Sequence, residues 1–275
     1  MLDVVIFSKD RACQLDLLLR SIERHFVDRG DASIQVLYTF SEQAYGCAYD
    51  AVIAAHPDFA YVCERERAEG FKDIVAGMVG DNEFVTFLVD DDVFKEDFSL
   101  RAPEFRTFAQ DGEIMCLSLR MCPRMDYAYT LDRHTPIPSF ERGTVWDWTG
   151  CDGDWGYPMS IDGHIFRSDE LVPLVRELEF HNPNTFEDVL SRHPLASPKA
   201  VCFEESKLIN IPVNRVQDTA LNRHGDVTAE WLNTHFLEGG RLSLGTVEGV
   251  RNPSPHHELP LLWDCLLYTS DAADE

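Results

Sequence analysis

The chain has 275 residues, 44% hydrophobic and 26% charged, with 24 basic against 48 acidic residues and a formal net charge of −24 at pH 7. This is a globular composition, long enough for one large α/β body, and it excludes collagen-like, coiled-coil and disordered chains. Such acidity repels phosphate backbones, so nucleic acid and anionic membranes are poor partners. An anionic ligand must be met locally, by a metal ion, a few Arg or Lys, or backbone N–H groups.

The eight cysteines include no C-x-x-C pair, and several lie in apolar runs where a reduced thiol packs as a small hydrophobe. Charge comes too early in Met1–Lys9 for a signal peptide, and no apolar run approaches ~20 residues, so no transmembrane segment is expected.

In chain order, the apolar run Val4–Phe7 predicts a first strand that ends at Ser8-Lys9-Asp10-Arg11. Leu15, Leu18, Leu19, Ile22 and Phe26 follow at helical spacing. Ser33–Phe40 alternates as a second strand. Ser41 reads as the N-cap of a helix through Ala55, closed by His56-Pro57. Phe59–Cys63 is a third strand, a helix follows around Phe71, Ile74, Val75 and Met78 and ends near Gly80, and Phe84–Val89 is a fourth strand running into Asp90-Asp91-Asp92. A helical piece near Pro103–Ala109 precedes a fifth strand at Ile114–Leu119. This alternation predicts a mostly parallel sheet with helices on both faces.

The second half changes character. Residues 121–160, rich in Pro, Gly, Tyr and Trp, read as loops and short strands. Helices are expected at Asp169–Phe180, Thr185–Ser191 and Thr228–Leu237, and strands at Lys199–Phe203 and Leu208–Val213. Cys265–Glu275 resembles translated adapter read-through and reads as a non-native tail.

Ligands on such sheets bind beyond the carboxyl ends of the strands, so Ser8–Arg11 and Asp90–Asp92 should line one crevice. Three consecutive carboxylates after a buried strand are costly unless something cationic sits among them. A hard divalent ion, Mg²⁺ or Mn²⁺, meets that need and bridges carboxylates to phosphates. A solvated acidic turn, with Asp90 capping a helix, is the simpler alternative. Likewise Ser8–Arg11 can be read as a plain helix start with Asp10 as its cap.

The strand ends Phe7-Ser8-Lys9-Asp10-Arg11 and Leu88-Val89-Asp90-Asp91-Asp92-Val93-Phe94 resemble those of nucleotide-sugar glycosyltransferases of the GT-A fold, where the triplet is the D-x-D motif. Ser160-Ile161-Asp162-Gly163-His164-Ile165-Phe166, Asn182-Pro183-Asn184-Thr185-Phe186-Glu187-Asp188, Ile211-Pro212-Val213-Asn214-Arg215-Val216-Gln217 and Pro255-His256-His257-Glu258-Leu259-Pro260 resemble a bacterial, family-2-like branch.

The resemblance spans residues 2–264. It implies a nucleotide-sugar-binding α/β half at 1–120 and a loop-rich, acceptor-binding half at 121–264 of the same body. It also implies an enzyme of bacterial surface-polysaccharide synthesis, cytoplasmic or peripheral at the inner membrane face, with a nucleotide-sugar donor and a glycan or lipid-linked acceptor.

Position by position, the resemblance implies that Ser8, Asp10 and Arg11, with Lys72 and Asp73, hold the donor nucleoside. Asp90 and Asp91 would serve the donor, and Asp92, with Asp90 and His224, would hold Mn²⁺ or Mg²⁺. Asp154, Trp155, Asp162 and His164 would face the acceptor, although Trp155 and His164 also read as core residues. Glu187, with Asp188 second, is the expected base, because an inverting transfer needs a carboxylate to take the acceptor proton. A first-turn carboxylate that only favours the helix dipole is the alternative for Glu187. Two competing functions remain. A sugar nucleotidyltransferase carries a glycine-rich loop after the first strand, which Ser8-Lys9-Asp10-Arg11-Ala12 lacks. A silent glycan-binding or scaffold protein would show no turnover with nucleotide sugars.

Overall fold

The structure, a computed structural model, describes residues 1–216 and 223–264. The chain builds β1 (Leu2–Lys9), α1 (Ala12–His25), β2 (Ala32–Thr39), α2 (Gln43–Ala55), β3 (Ala60–Cys63), α3 (Phe71–Met78) and β4 (Phe84–Val89). There follow β5 (Asp92–Phe94), α4 (Pro103–Gln110), β6 (Ile114–Ser118), β7 (Tyr127–Ala128), β8 (Arg133–His134), β9 (Phe140–Glu141) and β10 (Val145–Asp147). The last elements are β11 (His164–Arg167), α5 (Ser168–Glu177), α6 (Pro183–Arg192), β12 (Lys199–Cys202), β13 (Leu208–Asn210) and α7 (Ala229–Leu237). No described helix is long and apolar enough to cross a membrane. The tail expected at 265–275 lies outside the described residues, as does Gln217.

Nine strands form one sheet in the order β3-β2-β1-β4-β11-β6-β12-β10-β9. β3, β2, β1 and β4 pair in parallel, as do β6 and β12. β11 is antiparallel to both β4 and β6, and β10 is antiparallel to β12 and β9. β11 and β10 run against the rest, so the sheet is mostly parallel. β1 is apolar on both faces because both are covered. Val4 and Ile6 share a cluster with Leu15 of α1, Val52 of α2 and Leu232 of α7. Val5 and Phe7 share the opposite one with Val75 of α3, Leu171 of α5 and Phe186 of α6.

β4 falls at its expected bounds, and α3 lies where the helical spacing put it, ending at Met78, two residues short of Gly80. Ser41 does not cap α2: Glu42 holds the cap position without a side-chain bond, and the Ser41 N–H instead donates to Asp10 Oδ1 at 2.7 Å. Thr228 does cap α7, accepting from the Trp231 N–H. β11 was not foreseen as a strand, since four residues between a glycine turn and a helix give no alternation to read. It comes from the second half of the chain yet lies between β4 and β6, so both halves build the one sheet.

Gly163 makes that insertion possible. Its N–H donates to Phe87 O and its carbonyl accepts from the Leu119 N–H, both at 2.9 Å, so its backbone extends the ladder between two neighbours. It adopts a φ of +72°, and a Cβ there would lie 2.5 Å from Leu208 Cδ2. Gly163→Ala is expected to lower stability by about 1–3 kcal/mol through overpacking and left-handed strain, read as a reduced midpoint in urea unfolding.

Candidate active site

The tips of β1 and β4 are neighbours because the strands pair in register up to Phe7 and Val89. The chain leaves β1 through Asp10, whose φ of +56° is left-handed backbone that aspartate tolerates. The Asp10 carboxylate is spent on the Ser41 N–H, so Asp10 shapes the turn and does not line either cavity described below. Beyond it, Arg11 reaches across to the carboxylate triplet. Its Nη1 donates to Asp90 Oδ1 and to Asp91 Oδ2, both at 3.0 Å, and its Nε donates to Asn214 Oδ1 at 2.9 Å. The crevice expected from strand ends alone is therefore present, and the cation among the carboxylates is Arg11.

The three aspartates part ways. Asp90 is buried, accepting from Ser8 Oγ at 2.8 Å, the Lys9 N–H at 3.2 Å and Arg11. Burial pushes its carboxyl up to about 6 against the pull of Arg11. Asp91 faces the cavity wall, bound to Arg11 and to the Asn210 amide at 3.0 Å. Asp92, expected to ligate metal, is fully buried at the start of β5. Its Oδ2 accepts from the Val89 N–H at 3.0 Å and its Oδ1 from Asn210 Nδ2 at 3.2 Å. Burial, then Asp162 and Asp91, holds its carboxyl well above the usual range. Asp92 is turned inward where β5 begins, while Asp91, just before that strand, lines the cavity.

Two cavities meet here. One, about 720 Å³, is lined by Ser8, Lys9, Thr39, Phe40, Phe71 and Asp90, among others. The other, about 440 Å³, carries Asp91, Arg120, Asp154, Asp162, Glu187 and His224. Arg11, Val89, Pro183 and Asn184 line both, so the two cavities adjoin beside the triplet. Both volumes fall in the range of small-molecule sites.

On the second wall, α6 is started by a reciprocal cap, Asn182 Oδ1 accepting from the Thr185 N–H at 2.9 Å. Glu187 of that helix lines the cavity, and burial together with the Asp162 carboxylate pushes it up to about 7. Asp188, a further 100° round the helix, is exposed and pairs with Arg192 at 2.7 Å. Lys72 pairs with Glu179, and Asp73 is exposed; neither lines the cavities, because α3 presents Phe71 there instead.

Asp162 and Asp154 do face the cavity, held by Arg120 at 3.0 and 3.4 Å. Trp155 does not: it is 1% exposed, donates from Nε1 to Met125 O, and meets Trp146 edge-on. His164 is a core residue of β11, pushed down to about 3 by burial and by Arg120. His224 lines the cavity, its Nδ1 2.6 Å from Gly225 O, which leaves Nε2 as the free lone pair.

Arg120, Asn210 and Asn214 were not legible as site residues. Each lies just past or at the end of a strand, a position the sequence marks for many residues that do nothing chemical. Arg120 carried one signal, an arginine following the run Ile114–Leu119.

A divalent cation is implied by the family resemblance. Among the described residues no three His, Cys, Asp or Glu side chains are grouped to hold an ion by themselves. The wall does offer Asp91 and the His224 lone pair amid an excess of carboxylates. That suits an ion bound through one or two protein ligands and completed by phosphate oxygens.

No protein-family model matches the chain. In sequence it is 24% identical over 265 positions to the bifunctional glycosyltransferase pgtA of Dictyostelium discoideum, covering 82% of this chain and 33% of that one. The chain therefore spans about a third of the length of that relative. Among solved structures, S. aureus TarS 1–349 overlaps with a TM-score of 0.46 at 12% identity, over 75% of this chain and 59% of that one. The mannosyltransferase PcManGT from Pyrobaculum calidifontis, in complex with GDP-Man and Mn²⁺, overlaps at 0.37 with 14% identity, over 67% and 50%. Overlaps at that level carry no argument of their own. In sequence, then, the chain is similar over most of its own length to part of a known glycosyltransferase.

Arg11→Met leaves Asp90 and Asp91 without their cation, and breaking a buried pair by removing one partner costs about 3–5 kcal/mol. Chemical denaturation at pH 7 should show a loss of that order, and it should shrink at lower pH as the carboxylates protonate.

Proposed function

We propose that this chain transfers a sugar from a nucleoside diphosphate donor to a hydroxyl acceptor. The observation that carries the reading is Glu187, a wall carboxylate held near neutrality beside the junction of two cavities. A general base works best when its pKa lies close to the operating pH. The nucleoside sits in the larger cavity against Phe40, Phe71 and the β1 tip, with Ser8 and Asp90 below it. Its diphosphate reaches the shared rim at Arg11, and the sugar enters the smaller cavity. Glu187 takes the proton of the acceptor hydroxyl as that oxygen attacks the anomeric carbon and the diphosphate departs, which is the inverting arrangement.

Asp91 and His224 would hold a divalent ion, and such an ion supplies charge neutralisation on the departing diphosphate. Arg11 and Asn210 fix the orientation of Asp91, one bonding each of its carboxylate oxygens, and Asn214 in turn holds Arg11. The family-2-like motifs support a setting in surface-polysaccharide synthesis.

Two outcomes test this. Glu187→Gln should lower transfer about 10²–10⁴-fold with the fold intact, and the wild-type rate should fall as pH drops below about 7, where Glu187 takes up a proton. A rate in Glu187→Gln equal to wild type with every nucleotide sugar sinks the assignment. Chelation with EDTA should abolish transfer and Mn²⁺ restore it. Asp91→Asn should weaken Mn²⁺ binding, measured calorimetrically with a nucleoside diphosphate present.

A further inference from the structure

Behind the tip of β1 stands a side chain that lines neither cavity. Tyr49 of α2 is fully buried, and its ring packs against Tyr38 and Phe40, with centres 4.7 and 6.5 Å away. Its hydroxyl reaches the strand tip, 2.7 Å from Ser8 Oγ, and accepts from the Arg11 N–H at 3.2 Å. Asp10, between those two partners, is the left-handed residue of the turn, so the Tyr49 oxygen bridges the chain on either side of it.

Counting hydrogens fixes the direction of these bonds. Asp90, ionised at pH 7, has none to give, so Ser8 spends its single hydroxyl hydrogen on Asp90 Oδ2 at 2.8 Å. Ser8 then only accepts from Tyr49, and Tyr49 donates. Burial and the Asp90 charge hold the phenol far above its ordinary pKa, so that hydrogen stays in place. Asp90 Oδ1 accepts in turn from Arg11 Nη1 at 3.0 Å. Tyr49, Ser8, Asp90 and Arg11 therefore form a closed ring of hydrogen bonds, which enters Arg11 at its side chain and leaves at its backbone. Bonds joined in this way polarise one another in an enclosed setting. Removing the phenol oxygen leaves the Arg11 N–H without this acceptor and Ser8 without its donor.

Resting on the transferase reading above, we infer that Tyr49 is a positioning residue of the donor site, its hydroxyl closing the ring that holds Ser8, Asp90 and Arg11 in front of the nucleoside diphosphate. Those three line the larger cavity, and Arg11 lines the smaller one as well, so a single phenol behind the wall sets three side chains on it. Phenylalanine at this position keeps the contacts with Tyr38 and Phe40 and loses the ring of hydrogen bonds alone. Its effect therefore falls on ligand binding through Ser8 and Arg11.

The test uses the whole chain and four probes, UDP, GDP, CDP and dTDP, titrated calorimetrically with Mn²⁺ present. The diphosphate that wild type binds best is carried forward. Tyr49→Phe should weaken it about tenfold, the worth of one hydrogen bond. With nucleotide sugars of the same base, the donor KM should rise by that factor while kcat changes little. Ser8→Ala opens the ring from the other side. Adding Tyr49→Phe to Ser8→Ala should cost no more than about a further threefold, because members of one network are not additive. The inference is overturned if Tyr49→Phe binds the diphosphate as wild type does. It is also overturned if the double variant loses the full product of the two single effects, as independent packing defects would give. Wild type binding none of the four probes removes both this role and the transferase reading. Coupled loss of diphosphate binding, without turnover of any nucleotide sugar, supports the role of Tyr49 and counts against the transferase reading alone.

Discussion

The site depends on one guanidinium. Arg11 stands where two parallel strands end together, and it satisfies Asp90, Asp91 and Asn214 at once. A planar fork with five donors can do this, and a lysine cannot. Without it the β4 tip would carry adjacent carboxylates in a protein-enclosed crevice, each raising the other. Its position also decides the architecture of the site, because the same side chain forms part of the wall between the larger and smaller cavities.

Charge on the far wall follows the same logic with a different outcome. Arg120 is shared between Asp154 and Asp162, and Asp162 receives further help from His256 at 3.5 Å, so its carboxyl lies below the usual range despite burial. Glu187 is the carboxylate in that group without an ion pair of its own among the described residues, and it is pushed up. Two neighbouring carboxylates thus differ in proton affinity because one has a cation at hydrogen-bond distance and the other has not.

A second buried network, remote from the cavities, shows how the helical layer over β1 is tied together. Asp16 of α1 accepts from Arg20 Nε at 2.9 Å and lies 3.1 Å from His56 Nε2, while His56 Nδ1 faces Glu23. Burial alone would lower the His56 imidazolium, but bonds to Asp16 and Glu23 outweigh it and raise its pKa. Stability from that pair is complete below the ordinary histidine pKa and fades as pH rises through the raised value.

Much of the sheet was readable from residues alone. The runs Val4–Phe7 and Phe84–Val89 are apolar at consecutive positions because both faces of a parallel strand are covered, and helical spacing located α1, α3 and α7. Strand-end logic brought Ser8 and Arg11 to Asp90 without any coordinates. What local pattern could not decide was the direction of single side chains. Asp91 and Asp92 are adjacent and chemically alike, yet Asp92 pairs with Asn210 of β13 and is fully buried, while Asp91, just before the strand, lines the cavity. Trp155 and Tyr157 divide in the same way, because a tight turn ends in a core anchored by Met125 and Trp146. Periodicity reports which segments are buried; the identity of the residue that reaches a cavity depends on partners far away in the chain, and only the packed structure supplies those.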